Sequence, residues 1–372
     1  MKNLYKVIGG LALLALVILL WPRPKSQDKL GSAVALTNAI ETAAPPVLAR
    51  LPALRPRDGL AKRAAQPELQ AGTKAELACI LGGEVKLPVL DPAVVEKYLE
   101  RHQRSAESLL GAFRATQNPE FLKEAASRYP EDPAVQMAVL LHNLFPEQRR
   151  EWLERFKQSA PDNSLAAYLS ALDHFRAKDM PTALADLVEA TTRPRFNSYA
   201  LESMQNMEEL LVAGGQPPIL GKAEAMFSAP MGHLAQLKAL SSELVQLGQQ
   251  YRTAGDLESA GAVANVGLTL AARLNGAREG QFVIDKLVGI AIENQVWDLF
   301  DPNASSHYPG LTVQARQEEL ARQREAIKNL TKDFPPTLLA CSNDEITAFL
   351  DRVKVLGEVE ALRWLKSKQL NR

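Results

Sequence analysis

The residues that could do chemistry in this sequence are few and widely spaced. Five histidines, His102, His142, His174, His233 and His307, are far apart, and none pairs with another at metal-ligand spacing. Cys79 and Cys341 show no CxxC pattern; two buried or free thiols is the plainer reading, and one bridge is the alternative in an exported protein. Gly215 and Gly221-Lys222 enclose five residues, one more than a phosphate-cradling loop has. No Ser or Thr follows and no strand precedes, so no phosphate site is expected there. Glu202-Ser203 sets a carboxylate beside a hydroxyl on a helix, a pair that on a helical surface is ordinarily solvated. The loop from Asp301 to Gly310 is polar and aromatic enough to hold a ligand, although such stretches more often connect helices at a surface. No GxSxG, HExxH or paired acidic motif accompanies these residues. No catalytic residue, metal or cofactor is therefore expected.

The elements that would position any site are helical. From about residue 76 onward, Asp91-Pro92, Asn118-Pro119 and Asp132-Pro133 each place a side-chain acceptor at an N-cap and proline at the first helical position. Ser342 and Glu345 have the spacing of a capping box. Only Glu84 to Leu90 has any strand character. Composition agrees: 46% hydrophobic, 6% aromatic and 23% charged suits an Ala/Leu-rich helical core. With 43 basic and 43 acidic residues, no global field argues for nucleic acid.

The first 75 residues differ. Val7 to Trp21 is an uncharged apolar run flanked by Lys2, Lys6, Arg23 and Lys25. It is read as a single-pass signal-anchor over residues 1–22, with Lys6 snorkelling and Tyr5 and Trp21 at the two interfaces. A cleaved signal or a buried core helix are the alternatives; no small-x-small cleavage site follows directly. The simplest insertion leaves the body exported, periplasmic or extracytoplasmic. Residues 23–75, rich in proline, alanine and arginine, read as a disordered tether. From residue 22 to 75 there are seven prolines and nine basic residues against four acidic. Its charge is either simply solvated or drawn to an anionic surface.

Leu244 to Gly267 reads as a helical hairpin. Leu244, Leu247, Gly248 and Tyr251 share one face, Gly255-Asp256 makes the turn, and Ala260, Ala264 and Gly267 face back. Small residues at 248, 260 and 267 imply close approach of the two helices. Leu244-x2-Leu247-Gly248-x2-Tyr251 followed by Ala260 resembles the tetratricopeptide repeat, with Leu for the usual Trp, Ala264 for the aromatic and Asn275-Gly276 for the closing proline. Residues 162–194 repeat the spacing, with Ala171, a Lys178-Asp179 turn, and Ala183, Leu187 and Ala190. A looser copy with Ala138, Trp152 and Phe156 precedes them, and Pro130, Pro161 and Pro194 recur near the family period.

The resemblance implies an all-α, tetratricopeptide-like solenoid. A lobe at 76–213, an irregular break at 214–231 and a second lobe at 232–372 are expected, the last two helices capping the stack. By the same resemblance, first helices line a concave groove for a peptide or helix, with Tyr168, Phe175, Arg176, Gln249 and Arg252 as its binding residues. His142 and His174, about one repeat apart on first helices, would also share that side, as ordinary helix-face residues. The implied function is a membrane-anchored scaffold or adaptor for protein–protein interaction, not an enzyme. Two alternatives stay open. One is a cell-envelope enzyme similar to lytic transglycosylases, whose Glu-Ser pair Glu202-Ser203 matches while their downstream Gly-Leu-Met-Gln segment does not occur here. The other is a structural anchor that self-assembles into a homo-oligomer.

Overall fold

The computed structural model describes residues 71–82, 89–276, 281–306 and 308–370; the anchor, nearly all of the tether, most of the Glu84–Leu90 stretch and His307 lie outside them. The described residues are helical throughout, with only two isolated bridges, Asn163 to Arg195 and Ser305 to Thr312. Among them no helix is long and apolar enough to cross a membrane.

The helices begin where local chemistry says they should. Asp91 Oδ1 accepts the Ala93 N–H at 2.9 Å and starts α2 (Pro92–Arg101) after α1 (Ala71–Leu81). Ser105 caps α3 (Ala106–Thr116), and Asn118 accepts from Glu120 N at 3.1 Å to open α4 (Pro119–Arg128). Asp132 accepts from both Ala134 N and Val135 N ahead of α5 (Pro133–His142). In each case the acceptor satisfies an amide that has no intrahelical partner. The tether ends earlier than expected, since residues 71–75 already belong to α1.

Next come α6 (Arg149–Ser159), α7 (Ser164–Arg176) and α8 (Met180–Thr192), then α11 (Gly232–Thr253) and α12 (Leu257–Gly276) after two intervening helices. The two hairpins α7–α8 and α11–α12 turn alike. Lys178 N donates to Phe175 O at 2.9 Å and Asp179 N to His174 O at 2.9 Å; Gly255 N donates to Arg252 O at 3.1 Å and Asp256 N to Tyr251 O at 2.9 Å. Lys178 and Gly255 both take positive φ, 61° and 79°. Four residues beyond each turn Asp, Ala183 and Ala260 are buried.

The hairpins also pack like on like, α7 against α11 and α8 against α12. Arg273 on α12 donates to the carbonyls of Ala190, Thr191 and Arg193 at the end of α8, satisfying acceptors the helix leaves open. What lies between the hairpins in sequence does not extend this stack. α9 (Ala200–Ala213) returns to α3, where Gly111 packs on the Asn206 backbone. The stretch 214–231, expected as an irregular break, contains α10 (Pro218–Phe227), which buries Ile219, Leu220, Ala223 and Met226 against α9 and α1.

The remaining helices are α13 (Val283–Trp297), α14 (Val313–Thr331), α15 (Phe334–Leu339), α16 (Asn343–Leu356) and α17 (Glu358–Leu370). The Ser342–Glu345 capping box forms at the start of α16. α16 packs on α10, and α17 lies on α14, α15 and α16, so the C-terminal pair returns onto the middle of the chain. One cluster of buried apolar residues runs from Leu77 to Leu365. Full burial of a leucine such as Leu99, Leu109 or Leu122 is worth about 1.5–3 kcal/mol.

Candidate functional site

Helices α11, α12 and α13 form a three-helix unit whose outer edge carries an open groove. The directions follow from paired positions. Gly267 meets Val296 while Gly289 meets Ala271 and Asn275, so α12 and α13 are antiparallel. Ser241 meets Gln295 and Gly248 meets Leu299, so α11 and α13 run parallel, and α11 continues to Thr253 beyond the level at which α13 ends. Two of the hairpin's small residues make room for a third helix. Gly248 and Gly267 do not bring α11 and α12 against each other; they receive Leu299 and Val296 from the third helix and its end, at 2.8 and 2.6 Å from where a Cβ would stand.

The groove, about 770 Å³, lies between the outer face of α11 and the end of α13. Val245 and Leu299 form its floor, packed with Ala264 and Val296. Its walls are amides and hydroxyls: Gln246, Gln249, Gln250 and Gln295, with Ser242 and Thr253. Buried Ser241 donates to Gln295 Oε1 at 3.3 Å, which orients that amide. Asp298, exposed to solvent, contributes the charge in the lining; its Oδ1 accepts from Gln317 at 2.9 Å, and the desolvation it does undergo raises its carboxyl above the usual range. Each glutamine offers one acceptor and two donor hydrogens, so together they can bond the free N–H and C=O groups of an extended chain. A helical ligand has already paired its own backbone and would leave these amides unrewarded.

Of the residues expected to bind, Gln249 lies in this groove. Tyr168 is fully buried and Phe175 nearly so, both core residues of α7 and neither at a surface. The reason is the position of α7: it is enclosed by α6, α8 and α11, and residues 164–172 are buried without a break, leaving no face for a ligand. Burial raises the Tyr168 phenol to about 12. Arg176 is exposed at the end of α7 and Arg252 is half-buried; neither lines the groove. Gln295, Asp298 and Leu299 escaped sequence reading because α13 has no register with the repeat. The spacing of Gln246, Gln249, Gln250 and Thr253, all on one polar stripe of α11, was the available signal.

The other chemistry-bearing residues lie outside the groove. His174 Nδ1 lies 3.0 Å from Asp179, His142 sets its ring edge against Phe113, and His233 is fully buried, its imidazole pushed down to about 4. No group of three or more His, Cys, Asp or Glu among the described residues is placed to hold a metal. Cys79 is exposed, Cys341 is buried, and both are free thiols. Glu202 is exposed and accepts from Asn197, whereas Ser203 accepts from Arg114, so the neighbours in sequence face different partners.

Arg114 is itself buried. It donates to Ser203, to the Ser228 hydroxyl and carbonyl, and to the Met207 thioether, and burial lowers its guanidinium to about 10. In the 301–312 loop, Tyr308 lies 4.0 Å from Arg316, which makes a bidentate pair with buried Glu293; the loop is thereby fastened to α13 and α14. No protein family, no curated protein and no solved structure matches this chain.

Proposed function

We propose that this protein is a membrane-anchored scaffold or adaptor of tetratricopeptide-like hairpins that holds an extended segment of another protein in the groove between α11 and α13. The observation that carries this reading is four glutamine amides above an apolar floor. Such a surface rewards main-chain hydrogen bonding along a strand-like ligand. Support for the repeat comes from the matched turns at Lys178-Asp179 and Gly255-Asp256 and from like-on-like packing of the two hairpins. The anchor and an exported body are proposed from the apolar run at residues 7–21 and its flanking charges.

A photo-cross-linking amino acid at Gln249 or Gln295 of the full chain, expressed in its host, tests this. Discrete protein adducts are expected at both positions and none at exposed Arg176. Adducts equally strong at Arg176, or none at Gln249 and Gln295, would remove the groove as the working surface.

A further inference from the structure

We infer that α1 is a pH-governed latch: it is docked on α10 and α15 while the Glu224 carboxyl is protonated, and its hold on the body weakens as that carboxyl ionises. The latch is independent of the α11–α13 groove.

α1 packs chiefly on two short helices, α10 and α15, and buries Leu77, Ile80 and Leu81. Glu224 stands at that junction. It shares a face of α10 with Leu220 and Phe227, at steps of four and three residues, and Phe227 meets Phe334 of α15 with ring centroids 6.4 Å apart. Glu224 is 5% exposed, and its Oε2 is buried with no hydrogen-bond partner among the described residues. An oxygen so placed costs far more to bury charged than neutral.

No neighbouring cation offsets that charge. From α1, Glu224 faces Glu76, whose carboxylate repels it; Lys74, two residues before Glu76, is exposed. α15 carries no titratable side chain. Lys222, two residues away on α10, is held by Glu208 of α9 and Asp351 of α16, and Lys354 of α16 is held by the same Glu208. Arg352 of α16 lies over the Trp364 ring of α17. Arg114 of α3 reaches the end of α10 but donates to Ser203, Ser228 and Met207.

Burial, with repulsion from Glu76 added, places the Glu224 carboxyl at about 7. On a released, solvated α1 junction it would titrate at about 4.3. A carboxyl raised in this way supports docking fully below its solvated value and loses that support as pH rises through the docked one. The docking equilibrium is therefore expected to fall on the order of fiftyfold between pH 5 and pH 8.

The test is hydrogen–deuterium exchange of the full-length protein at pH 5 and pH 8, each rate divided by the intrinsic rate at that pH. The peptide covering residues 71–82 should lose protection on the order of fiftyfold at the higher pH, while a peptide from α3 keeps its own. Glu224→Gln should hold α1 at its pH 5 protection throughout. Asp285, which titrates in the same range at the start of α13, is unchanged in that variant, so the two groups are separated. Equal protection of residues 71–82 at both pH values, or an undiminished pH effect in Glu224→Gln, would overturn the latch. If Glu224→Gln does not fold, the native protein decides: parallel loss in the α1 and α3 peptides would mean general loosening and would equally overturn it.

Discussion

A methyl group placed on Gly111 would lie 2.6 Å from the carbonyl oxygen of Asn206. The contact joins α3 to α9 across 95 residues of sequence, and the obstacle is backbone, which cannot rotate aside. Gly267 faces Val296 Cγ2 at 2.6 Å, a β-branched side chain held to one rotamer in its helix, and Gly248 faces the flexible end of Leu299 at 2.8 Å. Thermal melts of the three alanine variants should therefore fall in a fixed order. Gly111→Ala is expected to cost most, about 2–3 kcal/mol, Gly267→Ala about 1–2, and Gly248→Ala close to nothing, because helix propensity offsets the small shift of Leu299. A melt in which Gly248→Ala is the worst of the three would contradict this packing.

Glu293 and Arg316 form a pair with both side chains nearly inaccessible, 2.7 Å apart, and Trp297 donates to the same carboxylate at 3.2 Å. Removing Glu293 leaves the buried guanidinium with only the more exposed Glu319 as counter-charge, 2.9 Å away. Glu293→Leu should lose about 3–5 kcal/mol in urea unfolding, and Glu293→Leu with Arg316→Met should recover most of it. A double variant no more stable than the single one would show that the pair is not the main term.

Burial, with repulsion from Glu358 added, holds the Asp285 carboxyl at about 7, against about 3.9 in the unfolded chain. A raised carboxyl stabilises fully below its unfolded value and loses that contribution as pH rises through the folded one. Asp285→Asn should thus match the native protein near pH 4 and exceed it at pH 8. The gain is on the order of 1–2 kcal/mol, since the side chain is partly solvent-screened. The Phe282 N–H keeps an acceptor in the variant. Buried His233 titrates in the opposite sense, losing stability as pH falls through about 4, so the wild-type-minus-variant difference isolates Asp285. A difference that does not grow between pH 5 and 8 would refute the assignment.

Lys178 occupies a left-handed conformation at φ 61°, where the matching turn has Gly255 at 79°. Lys178→Gly relieves the Cβ clash and loses some backbone entropy, for a net gain of about 0.5–1 kcal/mol. Calorimetry showing a loss instead would mean that the lysine side chain contributes contacts of its own.

The sequence by itself determined the helices and their punctuation. Asp91, Asn118, Asp132 and Ser342 act within three residues of where they stand, and the Gly255-Asp256 and Lys178-Asp179 turns close within five, so these features were legible without knowing any neighbour. The amide stripe on α11 was equally present in the order Gln246, Gln249, Gln250, Thr253. Only the tertiary structure decided which faces remained free. Helical periodicity marks an apolar stripe but does not say how many helices surround it; three close in on α7, which turned Tyr168 and Phe175 from groove residues into core. The groove itself needed the end of α13, after which Leu299 enters the space above Gly248 and so sets Gln295 and Asp298 in one lining with Gln249. That meeting joins residues almost fifty positions apart through side-chain packing, which no local spacing encodes.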